Sequence, residues 1–226
     1  MTDSPARRPT CARCQLPLRS CLCAWVRPVH NSMPLLVLQH PAEATQAKNS
    51  LRLLRLSLSD CRCEVGEQLD EPSLAAWLGR NAVLLYPGTA AANAPPLPAR
   101  PGPLVLLDGT WRQTRRLLAL NPLLQALPRC LLQSLLPALP PARYLIRKAQ
   151  RPEQRSTLEA AALALGALEG RPDHYAPLLQ AFEGWVAAQA AMRPGSSMPE
   201  PRPMPPSAAK DSHALPRNRS ENDESA

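Results

Sequence analysis

The stretch between residues 104 and 120 constrains the fold of this chain more than any other part. It reads LVLLDGTWRQTRRLLAL. An apolar run with the length of a buried strand ends on an acid, Asp108. Gly109 and Thr110 follow, and then a helical pattern that stops at Pro122. Because ligands bind at the carboxyl ends of strands in open α/β sheets, the sequence predicts a strand–turn–helix unit with a ligand near Asp108.

The residues of this turn suit the binding of an anion. Gly109 lets a ligand approach the backbone closely, and Thr110 is placed to cap a helix whose first N–H groups favour negative charge. Three arginines fall on one face of the predicted helix, at spacings of three and four residues: Arg112, Arg115 and Arg116. The competing interpretation is that Asp108 and Thr110 only cap the helix and that the arginines form a solvated face.

Charge is distributed unevenly along the 226 residues. The formal net charge is +8, and the segment from Arg100 to Arg155 holds ten arginines or lysines but two acids. A carboxylate among cations stays ionised, which suits a hydrogen-bond or proton acceptor, while the cations suit phosphates. The excess of positive charge favours a polyanionic partner, although many basic proteins bind no nucleic acid. Aromatic residues make up 4% of the chain, which argues against a flat stacking platform for single strands.

Sequence signals for membranes and secretion are missing from the chain. No apolar run approaches the roughly 20 residues that span a bilayer. The first ten residues lack the apolar centre of a signal peptide. We therefore expect a cytoplasmic protein whose cysteines are reduced.

Four cysteines near the N-terminus form a Cys-x-x-Cys pair and a Cys-x-Cys pair: Cys11, Cys14, Cys21 and Cys23. Four thiols at this spacing can wrap one tetrahedral zinc, which would supply folding energy to a segment too short for its own core. Incidental free thiols and a redox Cys-x-x-Cys are the alternatives. A zinc here is either structural or helps to hold RNA, and both interpretations stay open. Cys61 and Cys63 lack a second pair, and we expect them to be buried thiols.

Two further predicted strands lead into residues that can contact a ligand. The strand at 34–39 leads to His40, with Glu43 in the first turn of a helix predicted to run to Leu58. For these two residues, helix capping is as good an explanation as ligand binding. A later apolar run ends in the loop Tyr86-Pro87-Gly88.

After residue 128, two more predicted strands lead into loops, and the second of these loops is rich in cations. A short strand is expected at 129–133 and another at 143–148. Four cations occupy the end of the second strand and the loop that follows it: Arg147, Lys148, Arg151 and Arg155. Ser156-Thr157-x-Glu159 then has the spacing of a capping box. The simplest role for Glu159 is to cap Ser156, although a helix N-terminus is also a natural anion site.

The alternation of strands and helices predicts an α/β fold with a mostly parallel sheet flanked by helices. We expect a four-cysteine zinc-binding segment at 1–30, an α/β catalytic domain at 31–192 and a disordered tail at 193–226. The tail holds seven prolines and no aromatic residue, and such a segment buries too little apolar surface to order itself.

The tetrad Asp108-Gly109-Thr110-Trp111 resembles the Asp-x-Thr-Trp signature of the DTW-domain family. Other blocks resemble that family in the same order: the four cysteines between 11 and 23, His40-Pro41-x-Glu43 with Lys48-Asn49-Ser50, Tyr86-Pro87, and Tyr144-x-Ile146-Arg147-Lys148 with Ser156-Thr157-x-Glu159. One tetrad would be weak evidence, whereas five ordered blocks over residues 11–185 are specific. Ser50 and Thr114 depart mildly from the pattern, which has threonine and alanine at these positions.

The resemblance implies a tRNA-uridine aminocarboxypropyltransferase. It also implies a SPOUT-like fold with a parallel sheet, in which the chain forms a trefoil knot near the cofactor. Such enzymes transfer the 3-amino-3-carboxypropyl group of S-adenosyl-L-methionine to N3 of a tRNA uridine and release methylthioadenosine. Uridine 47 of the variable loop is the expected target. The expected partner is tRNA, with no membrane and no evident obligate protein partner.

By the same resemblance, loops at three strand ends form the cofactor pocket. The residues expected to bind the cofactor are His40, Glu43, Tyr86, Pro87, Gly88, Asp108, Gly109, Arg147, Lys148, Ser156, Thr157 and Glu159. Those expected to act in catalysis are Asp108, Thr110 and Trp111. Those expected to contact RNA are Arg112, Arg115, Arg116, Arg151 and Arg155.

The chemistry of the reaction suggests roles for some of these residues. Uridine N3 is a poor nucleophile until its proton leaves, so we expect Asp108 to accept that proton or to orient the uridine. Arg147 or Lys148 is expected to hold the methionine carboxylate. Trp111 either stacks on adenine or uracil, or packs in the core under its helix. A SPOUT-type RNA methyltransferase and a non-catalytic zinc-containing RNA-binding module are the alternative functions.

Overall fold

Five parallel β-strands form the centre of the protein, which a computed structural model describes at residues 9–46, 49–86, 96–136 and 155–191. The strands are β1 (Leu35–Gln39), β2 (Cys61–Val65), β3 (Val83–Leu85), β4 (Leu104–Asp108) and β5 (Arg129–Cys130). They are hydrogen-bonded in the order β2-β1-β4-β3-β5, and every neighbouring pair is parallel. The predicted α/β fold with a mostly parallel sheet is confirmed.

Eight α-helices connect or flank these strands in the described part of the chain. They are α1 (Pro41–Ala44), α2 (Leu51–Ser57), α3 (Glu71–Leu78), α4 (Trp111–Leu120), α5 (Pro122–Gln125), α6 (Leu132–Leu135), α7 (Thr157–Leu168) and α8 (Ala176–Ala191). Short 3-10 helices cover Leu18–Ser20, Cys23–Trp25 and Pro172–Tyr175. No helix within the described ranges combines the length and the apolar character needed to cross a membrane.

Helices cover both faces of the sheet, which explains why its central strands are unbroken apolar runs. Alternate residues of β1 point to opposite faces: Leu35 and Val37 join one buried cluster, and Leu36 and Leu38 join another. The first cluster also contains apolar side chains of α2, α7 and α8, and the second contains those of α3, α4 and α5. The register β1–β4 pairs Gln39 with Asp108, so both strands end at the same level.

The order of the strands creates a crevice at the carboxyl ends of β1 and β4. The chain leaves β1 towards β2 on one side, and it leaves β4 towards β5 on the other side. Two neighbouring strands whose connections diverge in this way form a topological switch point, where open α/β sheets bind ligands. Backbone contact continues past the strand ends, since the His40 N–H donates to the Asp108 carbonyl at 3.0 Å.

The helix predicted between His40 and Leu58 is divided into two. Helix α1 ends at Ala44, and α2 begins only at Leu51. The Oδ1 atom of Asn49 accepts a hydrogen bond of 2.8 Å from the Leu51 N–H. A side-chain acceptor of this kind starts a new helix and competes with a continuous one.

The strand predicted at 129–133 is also shorter than expected. It pairs with β3 at two residues, Arg129 and Cys130, and α6 begins at Leu132. The reason is that β3 itself ends at Leu85, the residue opposite Cys130, and offers no further strand partner. The strand predicted at 143–148 and the tail from 193 lie outside the described residues, and the trefoil knot stays a prediction.

The N-terminal cysteine segment packs against the rest of the fold. Leu16, Leu22 and Val26 belong to the same buried cluster as Trp185 of α8. The ring of Trp25 lies so close to α8 that a Cβ added at Gly184 would collide with it. The apolar residues of this segment are therefore buried by α8, and the division of the chain at residue 30 stays a prediction.

Candidate active site

The carboxylate of Asp108 lies at the centre of the crevice and is bound by three side chains from separate parts of the chain. Its Oδ2 accepts hydrogen bonds from Gln39 Nε2 at 2.7 Å and from Asn49 Nδ2 at 2.8 Å. Its Oδ1 accepts from the Thr157 hydroxyl at 2.5 Å. Asp108 is 6% exposed, so these bonds replace most of its hydration.

These three donors determine what the carboxylate can still do. All of them are neutral, so the negative charge of Asp108 is stabilised but not cancelled by its hydrogen-bond partners. An ionised carboxylate offers about four acceptor positions, and three are in use. One acceptor position of Asp108 therefore remains for a further donor, such as a substrate N–H.

Capping boxes at the start of two helices position the loops around this carboxylate. At α4, the Thr110 N–H donates to Gln113 Oε1 at 2.6 Å, and the Gln113 N–H donates to the Thr110 hydroxyl. At α7, the Ser156 N–H donates to Glu159 Oε2 at 3.0 Å, and the Glu159 N–H donates to the Ser156 hydroxyl. The capping roles predicted for Thr110 and Glu159 are confirmed.

Gly109 is required by a close approach in the turn after β4. A Cβ at this position would lie 3.0 Å from the Cβ of Gln113 and 3.5 Å from the Cβ of His40. The contact to Gln113 is tight, so a larger residue would require the capping box of α4 to shift by a few tenths of an ångström, whereas the distance to His40 is an ordinary contact. The close approach of a ligand to the Gly109 backbone stays a prediction.

The imidazole of His40 points away from the Asp108 carboxylate and joins a chain of polar contacts. Its Nδ1 accepts a hydrogen bond from the Ala42 N–H, so His40 is the N-cap of α1. The ring proton is therefore on Nε2, which donates to Glu67 Oε1 at 2.8 Å. The other oxygen of Glu67 accepts from Arg116 Nε at 2.7 Å. Hydrogen bonds from Arg116 and then from His40 lower the pKa of Glu67.

Trp111 presents an exposed ring beside the crevice. Its side chain is 48% exposed, so the interpretation that it packs in the core is wrong. One edge of the ring meets the buried Tyr86 in a T-shaped contact, with centroids 6.2 Å apart. The guanidinium of Arg129 lies over the Tyr86 ring at 5.7 Å from its centroid. Tyr86 therefore contacts Trp111 from one side, while about half of the surface of Trp111 stays exposed.

The other expected site residues fall into three groups. Arg112, Arg115 and Arg116 are exposed on α4, whereas Glu43 is buried in α1. Arg155 directly precedes the capping box of α7 and is partly buried. The remaining ones lie outside the described residues: Pro87, Gly88, Arg147, Lys148 and Arg151.

The sulfur atoms of Cys11, Cys14, Cys21 and Cys23 all lie within 4.8 Å of one another. The pairs Cys11–Cys23 and Cys14–Cys21 are each 3.7 Å apart. Tetrahedral zinc with Zn–S bonds of about 2.3 Å requires sulfur–sulfur distances of about 3.8 Å. The four thiols therefore fit the dimensions of a metal site.

Two of these thiols have shifted pKa values in opposite directions. The backbone N–H of Cys14, followed by that of Arg13, lowers the pKa of Cys11 to about 6. Desolvation, with the neighbouring thiols, raises the pKa of Cys23 to about 12. A metal binds the deprotonated form of each thiol. Because the pKa of Cys23 is raised, its thiol would release a proton when a metal binds.

Comparison with known proteins identifies the family of this chain. The profile of the DTW domain matches residues 8–190, which include both the cysteine cluster and the crevice. The chain belongs to the DTW-domain family.

Several curated proteins are similar to this chain. It is 33% identical to tRNA-uridine aminocarboxypropyltransferase 2 of Macaca fascicularis and 35% identical to the mouse protein of that name, each over 175 residues. These alignments cover 72% of this chain and 57% of each relative. The Drosophila melanogaster protein of the same name is 34% identical over 182 residues, or 76% of this chain and 71% of the relative. No solved structure matches the chain.

Three residues in and beside the crevice were not expected from the sequence to take part in the site: Gln39, Asn49 and Glu67. Gln39 carried a usable signal, since a single polar residue ends an otherwise apolar strand. Asn49 lies inside one of the family blocks, but no pattern tied it to Asp108. Glu67 follows β2 in a loop with other acids and carries no local signal. Only the tertiary structure brings its carboxylate to His40 and Arg116.

Proposed function

We propose that this protein is a tRNA-uridine aminocarboxypropyltransferase. It transfers the 3-amino-3-carboxypropyl group of S-adenosyl-L-methionine to N3 of a tRNA uridine, with uridine 47 of the variable loop as the preferred target. The curated relatives carry the name of this activity, and the chain aligns with 57% of the length of the first two. The proposal therefore depends on what the described site can do.

One observation carries the proposal: the carboxylate of Asp108 is bound by residues from the other family blocks. Asn49 belongs to the second block and Thr157 to the last, and both donate to Asp108. One residue from each of two other family blocks thus contacts this acid at the switch point. A protein that only bound RNA would not need a buried carboxylate held in this way.

The proposed reaction is a displacement at carbon. The N3 atom of uridine forms a bond to the terminal methylene of the aminocarboxypropyl group, and the bond from that carbon to sulfur breaks. The electron pair of that bond stays on sulfur, so methylthioadenosine leaves as a neutral thioether. The N3 proton passes to Asp108, or Asp108 orients the uridine while the proton leaves. The sulfonium is already a good leaving group, so positioning of the two substrates is the main task.

Other residues are proposed to bind and orient the two substrates. The open face of Trp111 stacks on adenine or uracil, and Tyr86 supports it from the side. Exposed arginines of α4 contact the phosphates of tRNA. Arg147 or Lys148 holds the carboxylate of the donor. The four thiols of the N-terminal segment hold a structural zinc, which would stabilise that segment against α8.

The test is mass spectrometry of nucleosides from unmodified tRNA incubated with the purified protein and S-adenosyl-L-methionine. We expect 3-(3-amino-3-carboxypropyl)uridine together with released methylthioadenosine. A methylated nucleoside would identify an RNA methyltransferase. Binding of tRNA without a new nucleoside would identify a non-catalytic RNA-binding module.

A further inference from the structure

A polar cleft of about 320 Å³ lies beside the crevice, between α4 and the ends of β1 and β2. Its lining residues are His40, Glu67, Thr110, Arg112, Gln113 and Arg116. Asp108 is not among them, because its side chain points to the sheet face covered by α2 and α7. The cleft is therefore a separate space at the same edge of the sheet.

Three charged side chains of the cleft, Arg112, Arg116 and Glu67, sum to one positive charge. The imidazole of His40 is held between the Ala42 N–H and the Glu67 carboxylate. Glu67 is ionised at neutral pH, since Arg116 and His40 lower its pKa. Its charge is matched by Arg116 at 2.7 Å. Within the described residues, the Arg112 guanidinium has no ionic or hydrogen-bond partner.

The spacing of the two arginines suits a single bound anion. Arg112 and Arg116 are four residues apart in α4 and project from the same side of the helix into the cleft. One excess positive charge matches the single negative charge of a phosphodiester. Guanidinium groups are well suited to phosphate oxygens because their N–H donors form a planar fork.

We propose that this cleft binds one backbone phosphate of the substrate RNA between Arg112 and Arg116, and that Glu67 weakens this binding by holding Arg116. The inference rests on the proposed function only in taking tRNA as the partner. It adds a phosphate site on the β1–β2 side of Asp108 and a residue, Glu67, that tunes RNA affinity through Arg116.

The cleft and the aromatic pair Tyr86–Trp111 lie at different places along the sheet edge. Along the carboxyl edge of the sheet, Glu67 follows β2, His40 follows β1, Thr110 follows β4 and Tyr86 follows β3. The phosphate site therefore lies on one side of the β4 end, and the aromatic pair Tyr86–Trp111 lies towards the other. An RNA held at the cleft can present a base at the end of β4 while its backbone stays outside the crevice.

The test compares Arg112→Gln with Arg80→Gln in binding of an unmodified tRNA transcript over a range of salt concentrations. Both variants remove one charge at an exposed arginine, but Arg80 follows α3 and does not line the cleft. For Arg112→Gln we expect affinity to fall about 10-fold and the salt slope to decrease by about 1. For Arg80→Gln we expect less than about a 3-fold change. Equal losses in the two variants would overturn the proposal.

Glu67→Gln tests the restraining role directly. The amide keeps an oxygen that can accept from His40 or Arg116 but removes the charge that holds Arg116. We expect tRNA to bind about 3- to 10-fold more tightly, with a steeper salt dependence. Weaker binding by Glu67→Gln would show that Glu67 only supports the local structure, and the restraining role would be abandoned.

A separate titration with S-adenosyl-L-methionine decides which anion occupies the cleft. We expect Arg112→Gln to bind S-adenosyl-L-methionine as the unaltered protein does. Loss of S-adenosyl-L-methionine binding with unchanged tRNA binding would mean that the cleft holds the donor carboxylate, and would overturn the proposal. Neither binding measurement requires turnover, so failure of the transferase reaction would leave this test intact.

Discussion

The Thr157 hydroxyl, at the first position of α7, donates a hydrogen bond of 2.5 Å to Oδ1 of Asp108, at the last position of β4. This bond joins the N-terminus of a core helix to the end of a central strand, across 49 residues of sequence. It links the stability of the fold to the position of the proposed catalytic carboxylate. Substitutions can separate the contribution of this bond to stability from its contribution to the position of the carboxylate.

Thr157→Val removes the hydroxyl and keeps the shape of the side chain. We expect the free energy of unfolding to fall by about 1–3 kcal/mol, because a buried carboxylate oxygen loses its donor. We also expect single-turnover transfer to tRNA to slow by at least about 10-fold, because Asp108 is less well oriented. Urea unfolding and quenched transfer assays measure the two effects. Thr157→Ser keeps the donor and is the control; a rate as low as that of the valine variant would contradict this role.

Asp108→Asn removes the negative charge with little change in shape. The fold should survive, because the new amide can donate to the Thr157 hydroxyl while its oxygen still accepts from Gln39 and Asn49. We expect transfer to fall by about 100-fold or more, the usual contribution of a proton acceptor. Tm and S-adenosyl-L-methionine binding serve as controls for folding. Full transfer activity in this variant would show that Asp108 is not the proton acceptor.

Gly184→Ala tests the docking of the cysteine segment on α8. The added methyl group would collide with the Trp25 ring, so the ring and the nearby Cys23 must move. We expect a loss of about 1–3 kcal/mol in stability, as for other overpacked sites, and faster zinc release to a colorimetric chelator. Ala187→Ser, at an exposed position of the same helix, should change neither. Unaltered zinc release in Gly184→Ala would mean that the metal site is independent of α8.

The thiols of β2 should resist alkylation until the pH is high. Desolvation raises the pKa of Cys61 to about 12 and that of Cys63 to about 11. Because the thiolate is the reactive form, their rates with iodoacetamide should keep rising above pH 9, where ordinary thiols level off. A raised thiol pKa also stabilises the fold below pH 9.0 and loses this effect as pH rises towards 12. Peptide mass spectrometry gives the rates, with urea-unfolded protein as the reference. Equal native and unfolded rates at pH 8 would contradict this assignment.

Local signals in the sequence were sufficient for much of the fold. The apolar runs of β1, β3 and β4, the helix cap at Thr110 and the capping box of α7 all lie where the patterns predicted them. These features depend on residues close together in the chain, so each could be recognised without knowledge of the rest. The same is true of the two cysteine pairs, whose spacing alone indicated a metal site.

The division of the first helix was not predictable from apolar spacing. The break depends on the side chain of Asn49, whose oxygen accepts from the Leu51 N–H at the start of α2 and whose nitrogen donates to Asp108. The second contact crosses 59 residues, and no pattern in either segment encodes it. Glu67 illustrates the same limit, because its partners His40 and Arg116 come from two other elements.

By itself, the sequence determined the α/β class, the family blocks and the chemical character of each loop, because these follow from local periodicity and residue type. The tertiary structure alone decided which polar groups meet. Three side chains donate hydrogen bonds to Asp108. The His40 ring contacts Glu67 rather than that carboxylate, and the Trp111 ring is exposed. The physical reason is that parallel strands align their carboxyl ends through long crossovers, so the partners at that edge are set by strand order and register, which no local pattern specifies.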